Sequence, residues 1–389
     1  MNKKNKGLPN TDLIKSNNKK VLFTATVDSH ILQFHLPFLK YFKDNGYEVH
    51  VATGEDGKIP YCDKKINVGI KRSPYSFENI KAIKKLKKVV MEEKYDIIHT
   101  HTPMGSVVTR MASKKARKKY HTRVIYTAHG FHFYKGAPKK NWLLFYPIEK
   151  YLSKYTDTLI TINNEDYELA KTKFKKCYDI QYVPGVGIDE NKFNIKMTKK
   201  EKSNLRKSLG LKDNDFVMIY PAEISVRKRH VWLINTISNL LKENKNIHLL
   251  LPGKDSLNGY CQSLVKNLNL EKQIHFLGYR NDIPKLLNIS DMAVSAAKQE
   301  GLPVNVMEAM YLGLPLVVSN CRGNRDLIKN GQNGFLIDLD DSVNYAKSIL
   351  NIYNDKKLKD NMIKSNEKII NEYLLSSIMP LMKKIYNLK

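Results

Sequence analysis

The sequence predicts an α/β protein with two doubly wound, parallel-sheet domains. Short apolar segments alternate with helical stretches along the whole chain, a pattern typical of parallel strands joined by crossover helices. The 389 residues exceed what one hydrophobic core usually supports, so two domains of about 150 to 200 residues are expected. The hydrophobic content of 42% is sufficient to fill two cores.

Each half of the chain has its own series of predicted strands. In the first half they are 21–26, 48–53, 96–101, 124–129, 158–163 and 180–183. In the second half they are 216–221, 247–253, 274–278, 292–296, 315–319 and 334–337.

A break between the domains is predicted within residues 183–201. Pro184, Gly185 and Gly187 are followed there by a polar, lysine-rich stretch, and such a composition favours a linker. We therefore predict a polar tail over 1–18, a first Rossmann-like domain over 19–187 and a second one over 188–372. A final helix, about 373–389, is expected to pack back on the first domain.

The formal net charge of +28 has three interpretations: nucleic-acid binding, attraction to an anionic membrane, or ordinary solvated helix faces. Residues 78–94 place Ile80, Ile83, Leu86 and Val90 at near-helical spacing with lysines between them, which predicts an amphipathic surface helix. A second basic cluster covers 113–123. Because no recognition helix, RNP motif or interleaved aromatic residues accompany these runs, we expect no nucleic-acid partner.

Targeting signals and cysteine pairs are missing from the sequence. It has no run of about 18 apolar residues, and residues 1–20 lack the apolar segment of a signal peptide. We therefore expect a cytoplasmic protein. The cysteines are widely spaced without a CxxC pair, so we interpret them as reduced packing residues; they are Cys62, Cys177, Cys261 and Cys321.

Residues that follow the predicted strands are the candidates for ligand contacts, because open parallel sheets bind ligands at the carboxyl ends of their strands. Two such sheets facing each other would enclose a cleft. In the first half the candidates are His30, His101, His129 and 130–136. In the second half they are 223–229, 253–255, 278–282, 298–305 and 321–325.

The segment 298–313 can supply most of the groups that a nucleotide sugar needs. Pro303 suits the first turn of a helix, which would leave the amides of Leu302, Val304 and Asn305 at a helix start that attracts negative charge. Gly301 and Pro303 are predicted to bind the donor as part of the same segment.

Two carboxylates flank that helix start. Glu300 lies just outside it and Glu308 roughly one and a half turns inside it, so both can reach one ligand about 10 Å long. A carboxylate accepts hydrogen bonds from adjacent hydroxyls, and we assign Glu308 to a ribose and Glu300 to a sugar. In isolation, a helix-start charge and a surface residue would explain the same pair.

Residues 276–337 resemble the donor domain of family 4 retaining glycosyltransferases, including the glutamate pair Glu300 and Glu308. The resemblance extends to 27–54, 99–110, 127–166 and 183–189, which are similar to the EpsD-like branch of capsular and exopolysaccharide glycosyltransferases. It implies a GT-B fold, with two Rossmann-like domains facing a central cleft, and a hexosyltransferase activity.

The resemblance also implies a basic pair that binds the donor diphosphate. Lys228 matches the lysine of the family pattern, but Ala222 and Glu223 stand where glycine and arginine are expected. Arg227 or Arg229 could substitute for the arginine, or Glu223 could orient Lys228 or meet the acceptor. A surface cluster at a helix start is the remaining interpretation.

Further site residues follow from the same resemblance. His129 matches a histidine beside the donor sugar and is, with Glu300, a predicted catalytic residue. His30, His101 and His132 are predicted on the acceptor side.

Two loops of the second half are predicted near the nucleotide. The backbone of Tyr279 and Arg280 is expected to meet the base. The alternative is a glycine turn with an Asn or Asp cap, before a helix that opens at Asp282. Gly323 and a cap at Asn324 are expected on the phosphate side.

No metal or cofactor is expected. The triplets 213–215 and 338–340 have the Asp-x-Asp pattern, but we interpret the first as a turn and the second as the cap of a helix near Ser342. Lys228, an arginine and a helix start can stabilise a diphosphate without Mg²⁺.

Retention at the anomeric carbon is implied by the resemblance. A double displacement requires a carboxylate nucleophile, and none is obvious. The family account instead has the acceptor hydroxyl attack from the face of the leaving group.

The sequence thus predicts transfer of a hexose or N-acetylhexosamine from a nucleotide sugar to a saccharide acceptor in capsule or exopolysaccharide synthesis. UDP is the preferred carrier and GDP stays open. The acceptor is expected to be linked to undecaprenyl diphosphate, with the basic N-terminal half at the inner face of the membrane. The alternatives are a GT-B UDP-N-acetylglucosamine 2-epimerase and a non-enzymatic nucleic-acid-binding protein. The sugar, the linkage and the oligomeric state stay open.

Overall fold

The structure is a computed structural model that describes residues 19–388. The described residues divide into two compact units, with the boundary between Tyr126 and Thr127. The predicted tail over 1–18 lies outside the described residues, and the predicted domain boundary at 187/188 stays a prediction. No helix among residues 19–388 is both long and apolar enough to cross a membrane.

The first unit alternates strands with helices. Its elements are β1 (Lys20–Thr24), α1 (Asp28–Phe34), α2 (Leu36–Asp44), β2 (Glu48–Thr53), β3 (Lys64–Asn67), α3 (Glu78–Glu93), β4 (Ile97–His101) and α4 (Pro103–Tyr120), followed by β5 (Arg123–Ala128), within which the unit ends. Four strands are adjacent in the order β3-β2-β1-β4 and pair in parallel. The chain changes direction across the sheet between β1 and β4, which makes this a topological switch point.

The short strand β3 was missed in the sequence. Its sequence KKIN places only Ile66 in the core, while Lys64 is exposed. An edge strand is commonly short and charged because such residues prevent further pairing, so the apolar pattern that identifies central strands is lacking here.

Helix α3 confirms the predicted amphipathic surface helix but not all of its apolar stripe. Leu86 and Val90 are buried, whereas Ile80 is 54% exposed. Asn79 occupies the buried position instead, because its side chain accepts a hydrogen bond from Lys71 N at 2.9 Å and donates one to Ser73 O at 2.9 Å. The polar side chain thus closes the preceding loop at the start of the helix.

The second unit has a six-stranded sheet in the order β10-β9-β8-β11-β12-β13 and a separate parallel pair, β6 with β7. Its elements are α5 (Lys139–Leu152), β6 (Thr158–Thr161), α6 (Asn164–Lys173), β7 (Asp179–Tyr182), α7 (Glu190–Phe193), α8 (Lys199–Ser208), β8 (Phe216–Ile219), α9 (His230–Glu243), β9 (Ile247–Pro252), α10 (Tyr260–Asn267), β10 (Ile274–Gly278), α11 (Ile283–Asn288), β11 (Met292–Ser295), α12 (Val304–Tyr311), β12 (Leu316–Ser319), α13 (Arg322–Leu327), β13 (Gly334–Ile337), α14 (Ser342–Asn354), α15 (Lys356–Ile369) and α16 (Leu375–Tyr386).

The central strands of the six-stranded sheet are covered on both faces. Along β8, Phe216 and Met218 belong to one hydrophobic cluster, and Val217 and Ile219 belong to the cluster on the other face. Such burial explains why these strands are continuous apolar runs in the sequence. The strand order reverses between β8 and β11, which are paired in parallel, so the loops after these two strands flank the switch point of this sheet.

Candidate active site

Helix α12 begins one residue later than the sequence predicted. Pro303 is the N-cap, with φ −77° and ψ 115°, and Val304 is the first helical residue. The first intrahelical bond runs from Met307 N to Pro303 O at 3.2 Å. The amides at the helix start are therefore those of Val304, Asn305 and Val306, and the prediction of Leu302 among them was wrong because the extended ψ of Pro303 delays the first turn.

Glu308 lies about one turn inside α12, closer to its start than predicted. The residue is half-buried. Burial raises the pKa of its carboxyl to about 7, since a charged carboxylate loses hydration there, and the positive charge of Lys192 opposes this rise only in part. Glu308 therefore changes its charge near neutral pH.

Glu300 accepts contacts from two cations on the loop after β8. Its Oε1 lies 2.6 Å from Lys228 Nζ and 3.2 Å from Arg227 NH1. Glu300 and Lys228 are nearly buried, with side chains 10% and 11% exposed, whereas Arg227 is 49% exposed. The structure thus joins three predicted site residues in one ion-pair cluster at the switch point.

The backbone of this basic loop is held from two sides. The buried Tyr220 donates its hydroxyl hydrogen to Lys228 O at 3.1 Å, and Lys298 N donates to Arg227 O at 3.0 Å. Because Tyr220 follows β8 and Lys298 follows β11, the two central strands fix the position of both cations.

The other two candidates for the missing arginine function have different partners. Arg229 pairs with Asp340 and stacks its guanidinium over Trp232 at 4.4 Å. Glu223 accepts a hydrogen bond from Ser256 Oγ at 2.6 Å, which links the loops after β8 and β9. The arrangement therefore favours Arg227 over Arg229 as the partner of Lys228.

His129 and the loop around Glu300 meet through their backbones. A Cβ atom on Gly301 would lie 2.0 Å from His129 O, so only glycine fits at this position. The next residue, Gly130, has φ +122°, a conformation that other residues rarely adopt. The close approach brings together two residues that the sequence assigned to the donor sugar.

The loop after β10 agrees in part with the prediction. Helix α11 follows Asp282, as expected, but the Asp282 side chain does not cap it. Instead, Asp282 accepts two hydrogen bonds from Arg280, at 2.8 and 2.6 Å, so the predicted Asp282 cap was wrong. Tyr279 is 75% exposed, and contact of this loop with a base stays a prediction.

Two other predicted caps were also wrong. Asn324 lies inside α13 and donates to Ser319 O at 2.7 Å, because α13 begins at Arg322. Helix α14 is capped by Asp341, which accepts from Asn344 N, and not by the triplet 338–340. The first error is a shift of the helix start by a few residues, which sequence patterns define poorly. In the second, the helix begins at Ser342 as predicted, but its cap is the residue after the triplet.

The predicted acceptor-side histidines lie in different environments. In the first unit, nitrogen atoms of His30, His35 and His101 lie within 4.8 Å of one another, and His35 stacks on His101 at 3.6 Å. Burial lowers the pKa of His30 to about 4. His35 was missed in the sequence because it follows α1, whereas the candidates were chosen directly after the strands. The signal that could have found it is the switch point between β1 and β4, since α1 follows β1. In the second unit, His132 packs 4.7 Å from the Phe145 ring.

Comparisons with known proteins identify the class of enzyme. Residues 201–369 match the family model "Glycosyl transferases group 1", and residues 20–163 match "Glycosyl transferase 4-like". A Bacillus subtilis (strain 168) protein described as "Putative glycosyltransferase EpsD" is 42% identical, over 87% of this chain and 89% of its own length. The Escherichia coli "UDP-Gal:alpha-D-GlcNAc-diphosphoundecaprenol alpha-1,3-galactosyltransferase" is 30% identical over 87% of this chain and 89% of its own length.

The fold agrees with these matches. The structure of Anabaena HepE in complex with UDP and glucose superimposes with a TM-score of 0.77 at 19% identity, covering 95% of this chain and 100% of that one. The protein is therefore a glycosyltransferase of the hexosyltransferase class with two Rossmann-like domains, as the sequence predicted. The chain belongs to the family 4 glycosyltransferases of GT-B fold.

The raised pKa of Glu308 predicts a pH-dependent affinity for a nucleotide sugar. If the ionised carboxylate accepts the ribose hydroxyls, affinity rises as pH increases through about 7. Between pH 6 and 8 the ionised fraction grows roughly tenfold, and the dissociation constant of a UDP-sugar should fall by about that factor. Titration calorimetry measures this constant.

Glu308→Gln is the control for this experiment, since it removes the titrating group and keeps the side-chain size. Its weaker binding should be nearly independent of pH over the same interval. An equal slope in the wild type and in this variant would contradict the role of Glu308.

Proposed function

We propose that this enzyme transfers a hexose or N-acetylhexosamine from a UDP-sugar to a lipid-linked saccharide with retention of anomeric configuration, in capsule or exopolysaccharide synthesis. The observation that supports the donor site is the cluster of Glu300, Lys228 and Arg227 beside the start of α12. The two cations and Glu300 lie on the loops that flank the switch point, and α12 with Glu308 follows the second of these loops. Nucleotides bind at such a point in open α/β sheets.

In this proposal the diphosphate binds Lys228 and Arg227. The two cations pair with Glu300 in the structure. An incoming diphosphate would replace Glu300 as the partner of part of their positive charge. The amides of Val304, Asn305 and Val306 add positive potential. Glu308, about one turn further along α12, accepts the ribose hydroxyls, and the backbone of Tyr279 and Arg280 meets the base.

The sugar then lies between Glu300 and His129. Both residues border the glycine contact at Gly301, where a sugar ring has polar partners from two loops. We propose that the acceptor hydroxyl attacks from the face of the leaving group and passes its proton to a diphosphate oxygen. The protein supplies orientation and charge stabilisation, and no side chain acts as the base.

The names of relatives support the class of acceptor. The Escherichia coli relative uses a diphosphoundecaprenol-linked sugar, and we propose the same kind of lipid-linked saccharide here. His30, His101 and His132 are the residues that we assign to the acceptor side.

The direct test incubates the purified enzyme with UDP-glucose, UDP-galactose, their N-acetylamino forms and a GDP-sugar, together with undecaprenyl-diphosphate-linked acceptors. We expect one UDP-sugar to give an α-linked product by NMR. A changed sugar in the absence of acceptor would instead indicate an epimerase.

Substitutions of the two glutamates should separate binding from turnover. Glu308→Ala removes two charge-assisted hydrogen bonds and should weaken donor binding about 10²-fold. Glu300→Ala releases Lys228 to the diphosphate, so donor affinity should persist while kcat falls about 10²-fold. His129→Ala should follow the Glu300 pattern. Steady-state kinetics and calorimetry measure both quantities.

Glu243→Ala, an exposed carboxylate at the end of α9, serves as the matched control and should resemble the wild type. Unchanged transfer by both Glu300→Ala and Glu308→Ala would show that the donor site lies elsewhere.

Metal removal should leave the activity intact. Both Asp-x-Asp triplets have protein partners: Asp213 accepts from Ser203, Asp215 from Lys212 N, Asp338 from Asn320 and Asp340 pairs with Arg229. Lys228 and Arg227 can stabilise the leaving diphosphate. We expect kcat after EDTA treatment and desalting within about twofold of the untreated enzyme. Recovery of lost activity by Mg²⁺ or Mn²⁺ would refute metal independence.

We also propose that α3 contacts an anionic membrane. Tyr75, Phe77 and Ile80 are 74%, 83% and 54% exposed at its start. The lysines of the helix lie beside them, and this combination of apolar and basic residues suits binding to anionic headgroups.

Vesicle sedimentation tests this membrane contact. Phosphatidylglycerol-containing vesicles should bind the enzyme, and 0.5 M salt should release it. The Phe77→Ser/Ile80→Ser variant should lower the partition coefficient about tenfold, since two apolar side chains no longer enter the lipid. Val343→Ser removes a residue that is 75% exposed on α14 and should bind like the wild type. Equal binding to pure phosphatidylcholine would contradict the proposal.

A further inference from the structure

Arg322 is a buried cation within the candidate range 321–325, and the proposed donor contacts assign it no role. Its side chain is 2% exposed, and NH1 lies 2.7 Å from Oδ1 of Asp166, which is 0% exposed. Arg322 is the first residue of α13, on the short connection that follows β12, and Asp166 lies in the first turn of α6. The pair therefore joins two elements that are far apart in the sequence.

The guanidinium also binds the two loops that we assign to the donor sugar. Arg322 NH1 donates to Phe131 O at 3.0 Å, and Nε donates to Glu300 O at 3.3 Å. The guanidinium also stacks over the Tyr134 ring at 4.9 Å. One planar cation thus contacts the loop after β5, which includes His129, and the loop after β11, which includes Glu300.

Asp166 completes this arrangement from the other side. Its Oδ2 accepts from Phe131 N at 3.0 Å and from Asn163 Nδ2 at 2.9 Å. Phe131 therefore gives its N–H to Asp166 and its C=O to Arg322, so its peptide groups cannot rotate without losing a buried hydrogen bond. This fixes the chain two residues after His129.

The two loops and the start of α13 pack so closely around the guanidinium of Arg322 that its position affects both loops. A Cβ atom on Gly130 would lie 2.7 Å from Arg322 NH2, and one on Gly323 would lie 2.5 Å from Gly301 O. The three glycines let the loops and the start of α13 approach to van der Waals contact around the guanidinium. A displaced guanidinium would therefore shift His129 and Glu300 relative to each other.

Stability alone is a weak reason for such a buried pair. Taking two charges out of water is costly, and replacing a buried ion pair by apolar residues is often neutral or stabilising. A planar guanidinium with several fixed donors can, however, set the angle between two loops, which apolar contacts do poorly.

We propose that Arg322 is a positioning residue that sets the spacing between His129 and Glu300 around the donor sugar. This inference rests on the proposed function of those two residues. Because Arg322 acts through the sugar end of the site and not through Lys228 or Glu308, its loss should lower turnover and leave the affinity for UDP nearly unchanged.

The test compares Arg322→Lys, Asp166→Asn and the apolar double variant Arg322→Met/Asp166→Leu. A displacement of about 1 Å at a reacting centre costs about 10²-fold in rate. We expect each variant to lose at least about tenfold in kcat, with the dissociation constant of UDP within about twofold of the wild type. The double variant has no unpaired buried charge and should keep a thermal unfolding midpoint close to that of the wild type.

Arg206→Lys is the matched control. Arg206 is also a largely buried arginine, paired with Asp291 at 3.0 Å, but it lies before β8, at the opposite end of the strands from the site. It should alter the unfolding midpoint without altering kcat.

A kcat within twofold of the wild type in the double variant or in Arg322→Lys would overturn the proposal, as would a loss of UDP affinity in parallel with kcat. Failure of the proposed function is a separate result, because it appears as a wild-type enzyme that neither binds UDP nor transfers a sugar.

Discussion

The contact between Lys228 and Glu300 across the switch point is the interaction on which the rest of the proposed donor site depends. The 2.6 Å ion pair joins the loops after the two central strands of the second sheet. Tyr220 and Lys298 bind the backbone of the loop after β8, which carries Lys228. Arg322 binds the backbone carbonyl of Glu300 in the loop after β11. Each side chain of the site thus takes its position from a buried strand, since loops alone are too mobile to place charges within hydrogen-bond distance.

The carboxylates of the site differ because their surroundings differ. Glu300 faces two cations, whereas Glu308 lies in a half-buried position with only the charge of Lys192 to favour ionisation. The same residue type therefore occupies two settings: Glu300 pairs with Lys228 and Arg227, and Glu308 has a carboxyl whose pKa burial raises to about 7. Environment, and not residue identity, determines this difference.

Much of the fold and the composition of the site could be predicted from the sequence. Buried central strands such as β8 and β11 are continuous apolar runs, and the residues after them were therefore recognisable as site candidates. The charged edge strand β3 was not predicted, because Ile66 is its only core residue. The exact starts of α12 and α13 were not predicted either, because each depends on the conformation at a single residue, Pro303 and Arg322. The partners of Arg229 and Arg322 also escaped prediction. Asp340 and Asp166 are distant in sequence, and a single sequence contains no signal for such pairs.

If Lys228 and Arg227 bind the donor diphosphate as proposed, their pairing with Glu300 has a consequence for competing anions. A cell contains abundant inorganic phosphate, and an isolated pair of cations beside a helix start would retain it as a competitive inhibitor. With Glu300 already neutralising Lys228, a small anion gains little by entering, because it must displace a carboxylate without other compensation. A nucleotide sugar brings a ribose, a base and a sugar, whose contacts offset that displacement. In the proposed donor site, the ion pair would therefore favour large ligands with many contacts over simple salts.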